Sequence, residues 1–169
     1  MPNSGRKMME QSQSFERPAK FVLGDSRLTM QLMGLWQAVR VDGERCPRAN
    51  MFLVTLSHDL LADCCVVERA DDGEWECRSI GPTIGRRSGV SGETAKIDDL
   101  PVGSLLATAV CDLQKAYTSQ VPIICGGEAQ DKNGRKTLFR SVLLPLADPS
   151  GQIIKFVAGA RQRVCSHDA

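Results

Sequence analysis

Three groups of residues in this chain carry side chains able to do chemistry. Ser57-His58-Asp59 sets a hydroxyl, an imidazole and a carboxylate in consecutive positions. A hydrolytic triad needs these groups to converge in space, and three sequence neighbours do not make that geometry. His58 and His167 are the two histidines, so the chain offers no four-ligand zinc set and does not read as an enzyme. The second group is the seven cysteines, Cys46, Cys64, Cys65, Cys77, Cys111, Cys125 and Cys165, which are odd in number and contain no Cys-x-x-Cys. They read as small apolar core residues in a reducing compartment. Cys64 and Cys65 are adjacent in an expected strand and point to opposite faces, which argues against a redox pair. The third group is Gly81 to Gly92, where four glycines accompany Arg86 and Arg87. Backbone N–H groups and guanidinium forks suit oxyanions, but neither the P-loop spacing nor Gly-x-Gly-x-x-Gly is present. The glycines read as turns and the arginines as surface charges.

Composition narrows the class further. A chain of 169 residues with 42% hydrophobic and 24% charged residues is expected to form one soluble domain with an adequate core. A net charge of +1 gives no electrostatic case for nucleic acid or an anionic membrane as partner. No apolar run approaches the roughly 20 residues that span a bilayer, and Met1 to Lys20 lacks the apolar middle of a secretory signal. The expected location is the cytoplasm. The expected organisation is an N-terminal arm over 1–22, one domain over 23–165 and a tail over 166–169.

The elements that must position these residues follow from periodicity and turn chemistry. Leu28, Leu32, Leu35, Trp36 and Val39 form one stripe of a helix that Asp25 or Ser26 can cap and Gly43 can close. That stripe suits either the domain's own sheet or a dimer or partner contact. Met51 to Leu61 has no clear period. Cys64–Arg69 and Trp75–Ile80 read as two strands joined at Asp72-Gly73. A long helix is predicted from Val102 to Tyr117 by the spacing of Val102, Leu105, Leu106, Ala109, Val110, Leu113 and Ala116. Three strands follow, Ile123–Gln130, Thr137–Ala147 and Gln152–Arg163, separated by turn residues. Pro145 predicts a bulge or a strand end.

Helix, two strands, glycine-rich turns, helix and three strands make an α+β protein with a five-stranded antiparallel sheet, helices on one face and an N-terminal amphipathic helix. This order resembles the PAS fold, and within it the single-domain PAS proteins of alphaproteobacteria. The resemblance rests on Leu35-Trp36, Arg40, Gly43 and Pro47-Arg48, on Ile80-Gly81, Gly89, Gly92 and Leu100, and on Leu143-Leu144-Pro145-Leu146 with Asp148 and Gly151. Asn50 departs from it, since an acidic residue is expected there.

The resemblance implies a sensory or regulatory domain that binds a small ligand or a protein partner and signals through altered protein contacts. It also implies a homodimer and an unidentified signalling protein as partner. The alternative is an adaptor-type interaction module with a filled core. Walls of a ligand pocket would be Val67, Trp75, Cys77, Ile80, Leu105, Ala109, Val110, Cys125, Leu144 and Phe156. The cofactor is left unknown. The flavin-binding segment Gly-x-Asn-Cys-Arg-Phe-Leu-Gln of light-sensing relatives is missing, and Val102 to Thr118 lacks the histidine that haem-binding relatives use. Only six residues follow Arg163, so output is expected to pass through a partner or self-association.

Overall fold

The computed structural model describes residues 26–131 and 133–165. The expected arm, the candidate cap Asp25, His167 and the expected tail lie outside the described residues. Helix α1 (Ser26–Val39) buries Leu28, Leu32 and Trp36 along one side. It ends before Gly43, whose φ of 87° serves the next turn, in which Glu44 N–H donates to Val41 O at 3.0 Å. The segment without a clear period forms two five-residue helices, α2 (Ala49–Leu53) and α3 (His58–Ala62).

The hairpin follows as β1 (Cys64–Arg69) and β2 (Trp75–Arg78), with Val67 opposite Cys77. Strand β2 stops short of Ile80 because Ser79 takes a left-handed φ of 48°. The glycine-rich segment contains a helix, α4 (Pro82–Arg87), with proline in its first turn. Arg86 and Arg87 lie in its last turn, where carbonyls rather than N–H groups are left over, so α4 offers them no anion cradle. A two-residue strand, β3 (Ala95–Lys96), then pairs with β2. It makes six strands rather than five, and two residues are too few to show a period.

The expected long helix is two helices, α5 (Leu105–Val110) and α6 (Leu113–Ser119). Val102 precedes both and is fully exposed, because Gly103 takes a φ of 75° and Ser104 caps α5, its Oγ accepting from Ala107 N–H at 3.2 Å. The break at Cys111–Asp112 keeps Leu113 and Ala116 buried, so the apolar spacing runs through it unchanged and periodicity does not reveal it. Strands β4 (Ile123–Gln130), β5 (Lys136–Ala147) and β6 (Ile153–Val164) complete an antiparallel sheet of order β3-β2-β1-β6-β5-β4. The architecture is α+β, an antiparallel sheet with helices packed against it.

Both faces of this sheet are covered, not one as expected, which is why the stretches Val142 to Ala147 of β5 and Phe156 to Ala160 of β6 carry no charged or amide side chain on either side. Opposed residues in an antiparallel ladder share a face. Val67, Cys77, Phe156, Ala158, Leu143 and Cys125 therefore lie on one face, beneath α5 and α6. Cys64, Gly159, Val142, Val157 and Leu144 lie on the other, beneath α1. A Cβ added at Gly159 would come within 2.5 Å of Leu32 Cδ1 and 3.6 Å of Leu28 Cδ2, so α1 rests almost on the β6 backbone. Pro145 neither ends β5 nor carries its bulge. It pairs with Phe156, and the irregularity falls between Leu146 and Ala147.

Candidate functional site

The face beneath α5 and α6 is where the fold gathers most of the residues expected to wall a pocket. Val67, Cys77 and Phe156 project from three adjacent strands and are fully buried. Leu105, Ala109 and Val110 come from α5, and Ile80 meets α4, where a Cβ on Gly85 would lie 3.2 Å from its Cγ2. Leu144 does not join them. It is opposite Val157, on the α1 face, because a strand alternates and the pairing of Pro145 with Phe156 assigns Leu144 to the far side.

Three aromatic rings pack against one another on this face. Trp75 packs edge-to-face on Phe156 with centroids 5.1 Å apart and on Tyr117 of α6 at 5.8 Å. The Arg69 guanidinium lies 4.3 Å from the Trp75 ring and 5.5 Å from Tyr117, closing the cluster toward solvent. Tyr117 and Arg69 were not among the sequence-derived site residues. Tyr117 was visible as the aromatic end of the apolar helix pattern, whereas Arg69 carries no sequence signal.

A hydrogen bond with Cys77, together with burial, pushes the Cys65 thiol up and keeps it protonated. Cys125 donates to Asp112 Oδ2 at 3.3 Å and is pushed up to about 12, chiefly by burial and then by that bond. The contact pins the break between α5 and α6 to β4 and explains why Asp112 does not use its carboxylate to cap α6. Ser57 caps α3, its Oγ accepting from Leu60 N–H at 3.3 Å, with His58 and Asp59 exposed in the first turn. Among the described residues, no three His, Cys, Asp or Glu side chains come together as a metal set, and no helix is long and apolar enough to cross a membrane.

The residues offered from sequence as a partner contact divide in the same way. Leu28, Leu32 and Trp36 are buried within the chain itself, because α1 packs on the far face of β5 and β6. Trp36 Nε1–H donates to Pro145 O at 2.9 Å. Leu35 and Val39 are half-buried on the helix flank. Outward of Leu35 a hollow of about 440 Å3 opens between α1 and the α2–α3 segment, lined by Met30, Gln31, Gly34, Leu35, Thr55 and Leu60. A second hollow of about 290 Å3, at Arg45, Gln120 and Asp148, is lined mainly by loops.

No family model matches the sequence, and no curated protein matches it. Among solved structures the chain is similar to a variant of RsLOV, at 15% identity over 66% of this chain and 69% of that one, with a TM-score of 0.45. It is similar to the PAS domain of a Colwellia psychrerythraea protein, at 13% identity over 60% and 86%, with a TM-score of 0.41. It is also similar to the light state of the blue-light photoreceptor Aureochrome1 LOV, at 17% identity over 67% and 91%, with a TM-score of 0.41.

Proposed function

We propose that this chain is a regulatory PAS-type protein of the cytoplasm that signals through protein contacts rather than through an enclosed ligand. The observation that carries the reading is the packed inner face, where Val67, Cys77 and Phe156 are fully buried and Trp75 bridges Phe156 and Tyr117. A small molecule would have to displace that cluster to enter. The contact surface in this reading is the outward side of α1, where Leu35 and Val39 are half-buried and Met30 is exposed, with Met51 and Val54 exposed beside it on the α2 segment. The partner there is a second copy of the chain, in a homodimer that a downstream signalling protein reads. All seven cysteines are free, which fits a reducing compartment.

The test is native mass spectrometry with light scattering over a dilution series. The expected result is a dimer without adduct, turned into a folded monomer by Leu35→Asp with Val39→Asp. A small-molecule mass lost on denaturation would move the function to ligand sensing. A monomer at every concentration would remove the homodimer.

A further inference from the structure

Strand β4 is one edge of the sheet, and it carries none of the devices that close an edge. The opposite edge is β3, whose two residues leave little to pair with. Strand β4 has eight residues and contains neither proline nor lysine. It keeps one register with β5, without a bulge, from Ile123 opposite Leu143 to Gln130 opposite Lys136. Every second residue of such a strand turns its N–H and C=O away from its neighbour, so β4 presents an outward row of main-chain donors and acceptors. Among the described residues, no turn or loop backbone group bonds to residues 123–130.

The size of this edge decides what kind of partner it fits. Eight residues at about 3.4 Å each make an edge about 27 Å long, and a sheet layer is roughly 10 Å deep. The contact is then roughly 300 Å2 on each side, well below the about 800 Å2 per partner that stable interfaces between folded proteins bury. It suits an extended segment, whose main-chain hydrogen bonds supply affinity and whose alternate side chains supply selectivity. Ile124 and Glu128 share one face of β4. Ile124 is 45% exposed, and the Glu128 side chain is 60% exposed even with Lys136 Nζ 3.0 Å from its Oε1. A segment antiparallel to β4 meets the carboxylate first and the apolar side chain four residues later. Its complementary pattern is a basic residue followed, four positions on, by a branched apolar one.

We propose that β4 receives an extended segment of another protein as an added antiparallel strand, with a lysine or arginine beside Glu128 and a valine or isoleucine beside Ile124. This surface is separate from the outward side of α1, which packs on β5 and β6. It stands whether or not the chain dimerises through that helix.

The probe is a blocked peptide, Thr-Lys-Thr-Thr-Thr-Val-Thr, titrated into the isotopically labelled full chain with backbone amide shifts followed by NMR. The expected result is saturable shifts at amides 123–129, with half-saturation below about 1 mM. Methylating alternate peptide nitrogens should abolish these shifts in one phase, where the N–H groups face β4, and leave them in the other. Glu128→Lys should weaken the peptide about threefold and tighten one with glutamate in place of its lysine by a similar factor. Absence of saturable shifts at these amides would overturn the proposal. So would equal binding by the two methylated peptides, which would show that main-chain pairing is not the mode of contact. The titration reads amide shifts and not oligomeric state, so failure here and failure of the homodimer are told apart.

Discussion

Replacing Trp75 with alanine tests whether the inner face is full. The side chain is half-buried, makes two edge-to-face contacts at 5.1 and 5.8 Å and carries Arg69 over its ring at 4.3 Å. A fully buried tryptophan costs about 3–5 kcal/mol when cut to alanine. Each aromatic pair contributes about 0.5–1.5 kcal/mol beyond area, and an exposed cation–π contact about 0.5–1 kcal/mol. With one side of the ring near solvent, the expected loss is about 3 kcal/mol. At about 3 °C per kcal/mol for a chain of this size, Tm should fall by about 9 °C. The substitution should also open an apolar void against Phe156 and Tyr117, of the kind that binds small aromatic molecules. Indole at a hundred times its dissociation constant returns about 2.7 kcal/mol, so it should restore most of the Tm of Trp75→Ala and leave the native protein unmoved. Thermal denaturation with and without indole reads both effects. An indole-induced rise in the native protein, or a loss below about 1 kcal/mol in the variant, would refute the filled-core reasoning.

Leu32→Asp should unfold the chain, because it buries a carboxylate against Gly159 and Cys64 at a cost that exceeds about 4 kcal/mol. Leu35→Asp at the half-buried flank should leave far-UV circular dichroism unchanged. Alkaline pH should destabilise the fold through Cys64, whose thiol is pushed up to about 12, mainly by burial and then by Asp63. A folded-state pKa above the unfolded value of about 8.5 gives stability that is complete below pH 8.5 and lost as pH rises toward 12. By pH 10 the loss is about 2 kcal/mol, and urea denaturation at pH 7.5 and 10 should show a correspondingly smaller pH dependence in Cys64→Ala.

The sequence disclosed those parts of the fold whose signals are local. The hairpin at Asp72-Gly73 and the three-strand meander are set by turn residues next to alternating or apolar runs, and these elements sit within a few residues of their expected bounds. The division of Val102–Tyr117 was only half legible. Gly103-Ser104 is a helix-start signal in plain view, but the break at Asp112 depends on Cys125, thirteen residues away on another element. Face assignment was not legible, because β5 and β6 are apolar on both sides and alternation loses its meaning when both faces are covered. That is why Leu144 entered the pocket set, and why Leu28, Leu32 and Trp36 read as suited to a partner as well as to the core.

Trp36, Pro47 and Pro145 act together at one end of the sheet. Strand β4 leaves β5 at Leu143, so the last residues of β5 form an open edge, and an open edge invites another strand. Pro145 has no N–H to offer there, and its carbonyl is already occupied by Trp36 Nε1–H at 2.9 Å. Two residues on, Ala147 N–H donates to Pro47 O at 2.9 Å, and Arg48 bridges to Ala147. Donor and acceptor positions along that edge are thus taken by the helix and by the turn that follows it. Three residues more than a hundred positions apart at their extremes therefore have one joint consequence. They fix α1 to the sheet and remove strand addition at this end of β5 from the contacts the protein can make.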